Sequence, residues 1–215
     1  MMISAAEERG RDRSLKSLWL LSGLFALPLI AAWVLFFNPQ WLPDGRTNHG
    51  ALIDPPRSME SLILQTPEGG RFDWLALQDM WTITLVSEGG CDAACIKALI
   101  KVRQIRRATA ANRQRIDRLL ILLPDSAGRL TLPTLEGLEG TRLAIADSGQ
   151  RTTVESLFPF QLSQQTIPLF LIDPRIDLMM IYDTSQISSK QILQDLETLL
   201  KASQSWVKGG QYGHR

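Results

Sequence analysis

Apolar residues are unevenly distributed along the chain, and the longest run of them lies near the N-terminus. Leu18–Phe37 contains twenty residues without a charge. At about 1.5 Å per residue, a helix of this length spans roughly 30 Å, the thickness of the hydrocarbon core of a bilayer. The residues that follow are bulky and offer no small-x-small cleavage site. The run therefore predicts an uncleaved transmembrane anchor in contact with membrane lipid.

Basic residues flank this run asymmetrically. Four of them lie within residues 9–16, whereas only Arg46 follows the run closely. Basic residues favour the cytoplasmic side of a membrane. We therefore expect residues 1–17 to be a cytoplasmic segment and the rest of the chain to lie across the membrane. In a bacterium this describes a single-pass inner-membrane protein with a periplasmic domain.

The pattern beyond the anchor predicts one α/β domain over residues 58–203. Prolines and glycines mark residues 38–57 as a linker and 204–215 as a flexible tail. Within the domain, period-2 and period-3.6 patterns predict a β-hairpin (62–65 with 71–74), five strands (81–87, 119–123, 143–146, 167–172 and 178–182) and three helices (92–109, 152–158 and 188–202). This alternation favours a central mixed sheet with helices on both faces.

Charge and histidine content narrow the function classes. The net charge is +1, so bulk charge indicates no particular partner. The two histidines are His49, interpreted as an exposed linker residue, and His214 in the tail. Because both lie outside the predicted domain, a histidine-based hydrolase is disfavoured.

One segment of the domain is strongly basic. Eight lysines and arginines lie between Lys97 and Arg118, with Asp117 as the only acid. They could contact an acidic partner or anionic headgroups. We favour the simpler interpretation, a solvated helix face. Nucleic acid is not expected as a partner outside the cytoplasm.

Cys91 and Cys95 are the only cysteines, and they follow a predicted buried strand at the start of a helix. A disulfide, a metal site, a redox pair and two small apolar residues all remain open. A helix N-terminus stabilises a thiolate, although Glu88 and Asp92 oppose it. We expect Cys91 to be the exposed, attacking thiol and Cys95 the resolving one, buried on the stripe that includes Leu99. Two soft sulfurs on one helical face also suit Cu(I), given a third donor.

Together, the motifs WTITLVSEGGCDAAC (81–95) and TIPLFLIDP (166–174), with the helix at 188–202, resemble the Sco/SenC family. The resemblance implies a thioredoxin-like domain behind one transmembrane helix. It also implies a role in building the copper site of cytochrome c oxidase, with oxidase subunits or a copper chaperone as partners. Thioredoxin-like proteins carry a cis proline before the strand that faces the cysteines, and Pro168 has that position. Gln165, Thr166 and Ile167 then form the wall of the site.

Two departures from the family pattern limit what the resemblance implies. Prolines follow the family's cysteines, whereas Asp92 and Ile96 stand here. Gln165 occupies the position of the family's copper-ligating histidine, and an amide is a poor ligand for Cu(I). We therefore expect a thiol–disulfide or copper-handling assembly factor whose copper site is incomplete; if it is an enzyme, we expect a thiol–disulfide oxidoreductase. The alternative is a non-catalytic scaffold with a vestigial cysteine pair.

Overall fold

The computed structural model describes the backbone of most of the chain, namely residues 4–38, 41, 48–159 and 167–209. The chain divides into two compact units, 1–46 and 47–215. The first contains helix α1, Ser4–Phe37, which continues through Pro28.

Within α1, Leu18–Phe37 is long and apolar enough to cross a membrane, and it is the only such helix among the described residues. Its side chains are exposed. A candidate span therefore lies where the hydropathy pattern predicts one.

The second unit is an α/β domain built on one six-stranded sheet. Its strands are β1 (Ala51–Ser58), β2 (Trp81–Glu88), β3 (Ile116–Leu123), β4 (Arg142–Ile145), β5 (Leu169–Ile172) and β6 (Asp177–Tyr182). Its helices are α2 (Ala93–Ala108), α3 (Arg151–Leu157) and α4 (Ser189–Gly209). Short 3-10 helices occupy Trp74–Leu77, Ala110–Arg115 and Ser148–Gln150.

The strand order is β1-β6-β5-β2-β3-β4, and the sheet is mixed. Strands β2, β3 and β4 are parallel, whereas β5 is antiparallel to both of its neighbours, β2 and β6. The C-terminal ends of β2 and β3 therefore share one end of the sheet with the N-terminal end of β5. We call this the carboxyl end of the sheet.

Both faces of the sheet are covered, as the sequence predicts. Along β3, Leu119, Ile121 and Leu123 pack with residues of α3 and of the 3-10 helix at Trp74–Leu77. The alternate residues Leu120 and Leu122 pack under α2 and α4. This period-2 alternation of a fully buried strand separates two apolar cores.

The predicted hairpin at 62–65 and 71–74 is wrong in extent. Its second arm is interrupted by the 3-10 helix that begins at Trp74, and only Gln65 and Arg71 form a bridge. Gln65 also exchanges two main-chain hydrogen bonds with Ile145, each 2.8 Å long. The segment therefore covers the free edge of β4 instead of forming a separate ribbon.

The predicted linker also needs correction, because its last part belongs to the sheet. Residues 51–57 lie in β1, which pairs with β6 at Ala51–Ile181 and Arg57–Leu178. The register shifts between these pairs, around Pro55 and Pro56. Prolines are tolerated at irregularities of an edge strand. At the other end of the domain, α4 continues beyond the predicted limit at residue 202.

His49 is exposed, as expected, but it is hydrogen-bonded to the domain. The carboxylate of Asp195 on α4 accepts hydrogen bonds from the backbone N–H groups of His49 (2.9 Å) and Gly50 (3.0 Å). His49 Nδ1 lies 2.8 Å from the other oxygen of Asp195. A Cβ on Gly50 would come within 2.6 Å of Met180 Sδ. The chain is therefore clamped to α4 immediately before β1 begins.

We predict that Asp195→Ala lowers the free energy of unfolding by about 2–3 kcal/mol, because it leaves buried N–H groups without an acceptor. Urea unfolding of the full chain in neutral detergent measures this change. The control is Glu197→Ala, an exposed position on the same helix, for which we expect a change within about 0.5 kcal/mol. Equal losses in the two variants would contradict the clamp.

Candidate functional site

A sharp turn joins β2 to α2 at the carboxyl end of the sheet. Gly89 and Gly90 adopt φ values of +71° and +142°, which side-chain-bearing residues rarely take. The loop at Thr131 packs closely on them, since a Cβ on Gly90 would lie 2.9 Å from the carbonyl oxygen of Thr131. Thr131 N in turn donates to Gly89 O. These contacts fix the direction in which the chain enters the helix.

Asp92 is the N-cap of α2. Its Oδ1 accepts a hydrogen bond of 2.9 Å from the backbone N–H of Cys95. One of the N–H donors that could stabilise a thiolate is therefore occupied by a carboxylate. Asp92 is expected to oppose thiolate formation. Its position at the start of the helix, between the two cysteines in the chain, places its negative charge where it can do so.

Cys91 and Cys95 form a disulfide, with their Cα atoms 5.2 Å apart. Among the four possibilities that the sequence left open, the structure shows the oxidised pair. Cys95 is completely buried, within the core that includes Leu99 and Val102. Cys91 is half-buried at the edge of that core. The difference in burial follows the predicted order, although Cys91 is less exposed than we expected.

An ion pair that the sequence did not reveal lies beside this turn. Arg151, the first residue of α3, bonds Glu88 Oε1 at 2.7 Å and donates to the carbonyl of Pro124. The hydrogen bond to Glu88 raises the pKa of Arg151. Arg151 therefore offsets the charge of Glu88, one of the two acids expected to oppose a thiolate. Asp92 remains without a comparable cationic partner among the described ion pairs.

The predicted wall of the site is described only in part. Pairing of Thr84 with Phe170 places Pro168, two residues before Phe170, at the carboxyl end of the sheet. Ile167 packs against the same core as Cys91. Gln165 and Thr166 lie outside the described residues.

The cis geometry implied for Pro168 is wrong. Among the peptide bonds of the described residues, only Asp54–Pro55 is cis, so the bond between Ile167 and Pro168 is trans.

The donor set for copper is restricted. A disulfide offers no thiolate, so Cys91 and Cys95 can bind Cu(I) as cargo only after reduction. Within the described parts of the chain, no group of three or more histidine, cysteine, aspartate or glutamate side chains is gathered that could hold a metal. The two sulfurs therefore fit Cu(I) in type but not in number.

Comparison with known proteins identifies the fold. A family model described as a transmembrane-like, thioredoxin-like C-terminal domain matches residues 81–203, which is more than half of the chain. No curated protein matches the chain.

Solved structures with the same fold include three Sco proteins. Yeast Sco1 is 13% identical, with a TM-score of 0.53 over 66% of this chain and 92% of that chain. Apo Sco1 from Thermus thermophilus is 12% identical, with a TM-score of 0.54 over 73% and 99%. Arabidopsis thaliana ScoI with copper bound is 13% identical, with a TM-score of 0.50 over 73% and 98%. The thioredoxin-like fold and the resemblance to Sco proteins are thus confirmed at the level of the fold.

We predict that iodoacetamide labels Cys91 about tenfold faster than Cys95 in the reduced, folded chain, because Cys95 is buried and Cys91 is partly accessible. Mass measurement of digested samples at successive times gives both rates. In urea the two rates should converge. Equal rates in the folded chain, or faster labelling of Cys95, would show that the assignment of roles is wrong.

Proposed function

Because the chain belongs to the family of transmembrane-like, thioredoxin-like C-terminal domains, we propose that it is a membrane-anchored thiol–disulfide protein that assists the assembly of cytochrome c oxidase. Its domain acts on the periplasmic side of a bacterial inner membrane, where α1 anchors it to the lipid. Its clients are the cysteines of an oxidase subunit or of a copper chaperone.

The observation that carries this proposal is the position of the disulfide. It joins a half-buried sulfur at the turn after β2 to a buried sulfur in the first turn of α2. A disulfide that closes so short a loop contributes little to stability through chain entropy, since that contribution grows with loop length. Stability alone therefore explains its placement poorly, whereas exchange chemistry requires one sulfur that a partner can approach.

The exchange runs through the two sulfurs in turn. In the reduced protein the thiolate of Cys91 attacks a client disulfide, forms an S–S bond to one client sulfur and releases the other as a thiolate. The thiolate of Cys95 then attacks the sulfur of Cys91, restores the Cys91–Cys95 disulfide and releases the second client thiol. Two electrons pass to the client, and a dithiol protein of the same compartment returns them to this chain. Each step is reversible, so the relative reduction potentials set the direction.

Copper carriage is a second candidate function. It is supported by the thioredoxin-like fold shared with copper-bound ScoI and by the two soft sulfurs that reduction would release. The resemblance aligns Gln165 with the family's copper-ligating histidine, and this favours thiol chemistry over copper transfer. Titration of the reduced chain with Cu(I) against a chromophoric competitor tests this function: failure to compete, or competition that survives Cys91→Ser, would rule out copper carriage at this site.

We predict that Cys95→Ser traps a client protein in a mixed disulfide with Cys91, because the resolving thiol is absent. Non-reducing electrophoresis of membranes that contain the full chain should show an adduct that a reductant removes. Cys91→Ser is the matched control and should yield little adduct, since the remaining Cys95 is buried.

The result also separates the redox proposal from a scaffold role. Absence of any adduct, together with normal oxidase assembly in a strain that carries Cys91→Ser and Cys95→Ser, would contradict the redox proposal. It would favour a scaffold that uses only its surface.

A further inference from the structure

The basic segment 97–118, which runs from α2 into β3, is only in part the solvated helix face that its composition favours. Lys97, Arg107 and Arg113 are exposed. Four other members donate hydrogen bonds to main-chain carbonyls, namely Arg103 to Gly137, Arg106 to Ile116, Arg115 to Leu200 and Arg118 to Glu139. These arginines therefore form part of the packed domain, at the end of α2 remote from the disulfide.

Arg118 is the most unusual of them, because it lies within β3 and is only 3% exposed. Strand alternation puts its side chain on the same face as Leu120, beneath α2. Its Nε and Nη1 atoms are buried and have no hydrogen-bond partner, and the same is true of Arg103 Nε. Fully buried arginines are rare unless they are paired, because an isolated buried charge is costly.

The nearest carboxylates offset this charge only in part. Asp117 precedes Arg118 on β3 and therefore points to the other face of the sheet, where its Oδ2 binds Arg142 Nε at 2.6 Å. Glu139 is exposed, and its Oε1 accepts the backbone N–H of Gly137 at 2.9 Å. Burial lowers the pKa of Arg118 and so do the charges of Arg106, Arg103 and Arg107, whereas the charge of Asp117 raises it. The folded domain therefore places more positive than negative side chains around Arg118.

We propose that Arg103, Arg106 and Arg118 form a binding site for a phosphate or a phosphate ester. Three orphaned donor nitrogens on the planar guanidinium groups of Arg103 and Arg118 match the oxygen atoms of such an anion, which arginine binds in a bidentate manner. Arg103, Arg106 and Arg118 outnumber the carboxylates that act on Arg118, so a bound anion would reduce the repulsion among the three guanidinium groups. The site is separate from the cysteine pair, and its existence does not depend on the redox proposal.

The main chain of the loop at 137–140 lies close to the guanidinium groups of these arginines. Gly137 and Gly140 adopt φ values of +73° and +78°. A Cβ on Gly140 would lie 3.2 Å from Arg118 Nη2, and one on Gly137 would lie 3.5 Å from Arg103 Nη1. The main chain of the loop thus rests directly on the guanidinium groups. Binding at the buried nitrogens would therefore require the incoming anion to displace this loop.

The test is thermal unfolding of the full chain in neutral detergent, with inorganic phosphate compared with chloride at equal ionic strength. We expect phosphate to raise the Tm of the wild-type chain in a saturable manner, by about 5 °C at saturation. Arg118→Met should lose this response. Without phosphate, Arg118→Met should unfold at the same temperature as the wild type or a higher one, because the variant no longer buries a charge that is only partly compensated.

Two further variants keep the test decisive. Arg113→Met alters an exposed arginine of the same segment and should retain the full response to phosphate. Arg103→Met removes an orphaned donor from the helix side and should weaken the response even if Arg118→Met fails to fold. The site is refuted if neither phosphate nor the lipid probe described below has a saturable effect on the wild type, or if both Arg118→Met and Arg103→Met respond as the wild type does.

A second arm distinguishes free phosphate from a lipid headgroup. Short-chain phosphatidylglycerol or phosphatidylcholine is added to the detergent micelles in phosphate-free buffer. If the natural ligand is a headgroup, phosphatidylglycerol alone raises the Tm, and Arg118→Met abolishes the rise. If it is a soluble phosphate, neither lipid has an effect and inorganic phosphate still does. A Tm that responds to none of these probes contradicts the site from either source.

Discussion

The chain must leave a fully buried strand and begin a half-buried helix within four residues, and this junction determines where the cysteines lie. Gly89 and Gly90 turn the chain with φ values that side chains disfavour, and Asp92 starts the helix by accepting the N–H of Cys95. With the start of α2 fixed, Cys95 falls on the buried stripe and Cys91 falls just outside the helix. The difference in burial between the two sulfurs, and with it the proposed order of attack, follows from this one turn.

Much of the domain could be predicted because its signals are local. The strand at 81–87 and the helix at 92–109 agree with β2 and α2 to within about a residue, since a continuous apolar run, two glycines and a 3.6-residue period mark them. Strand β1 could not be predicted in this way. Its prolines are typical of a linker, and only its pairing with β6 makes it a strand.

The contacts that sequence reasoning missed join residues that are far apart in the sequence. His49 and Asp195 are separated by 146 positions, and Arg151 reaches Glu88 across 63. Neither pair leaves a periodic pattern in the sequence. The buried Arg118 is a related case. In the sequence it belongs to a basic segment, and only the packing of α2 and of the 137–140 loop shows that it is buried. Tertiary contacts therefore determine the surroundings of the cysteines at the start of α2 and of the arginines near its end, although α2 itself is predictable.

The central claim is that Cys91 and Cys95 interconvert between a dithiol and a disulfide. The negative charge of Asp92 then controls the reduction potential of this pair. Equilibration of the full chain with glutathione or dithiothreitol buffers at pH 7, followed by alkylation and mass measurement, gives the midpoint potential. Asp92→Asn keeps a cap of similar strength but removes the negative charge beside the thiols. It should stabilise the thiolate and raise the potential by about 15–30 mV, since one pKa unit corresponds to about 30 mV for two electrons. Asp147→Asn, a cap of the 3-10 helix at Ser148–Gln150, should leave the potential unchanged. A wild-type pair that does not interconvert, or an Asp92→Asn potential equal to or below that of the wild type, would contradict the account.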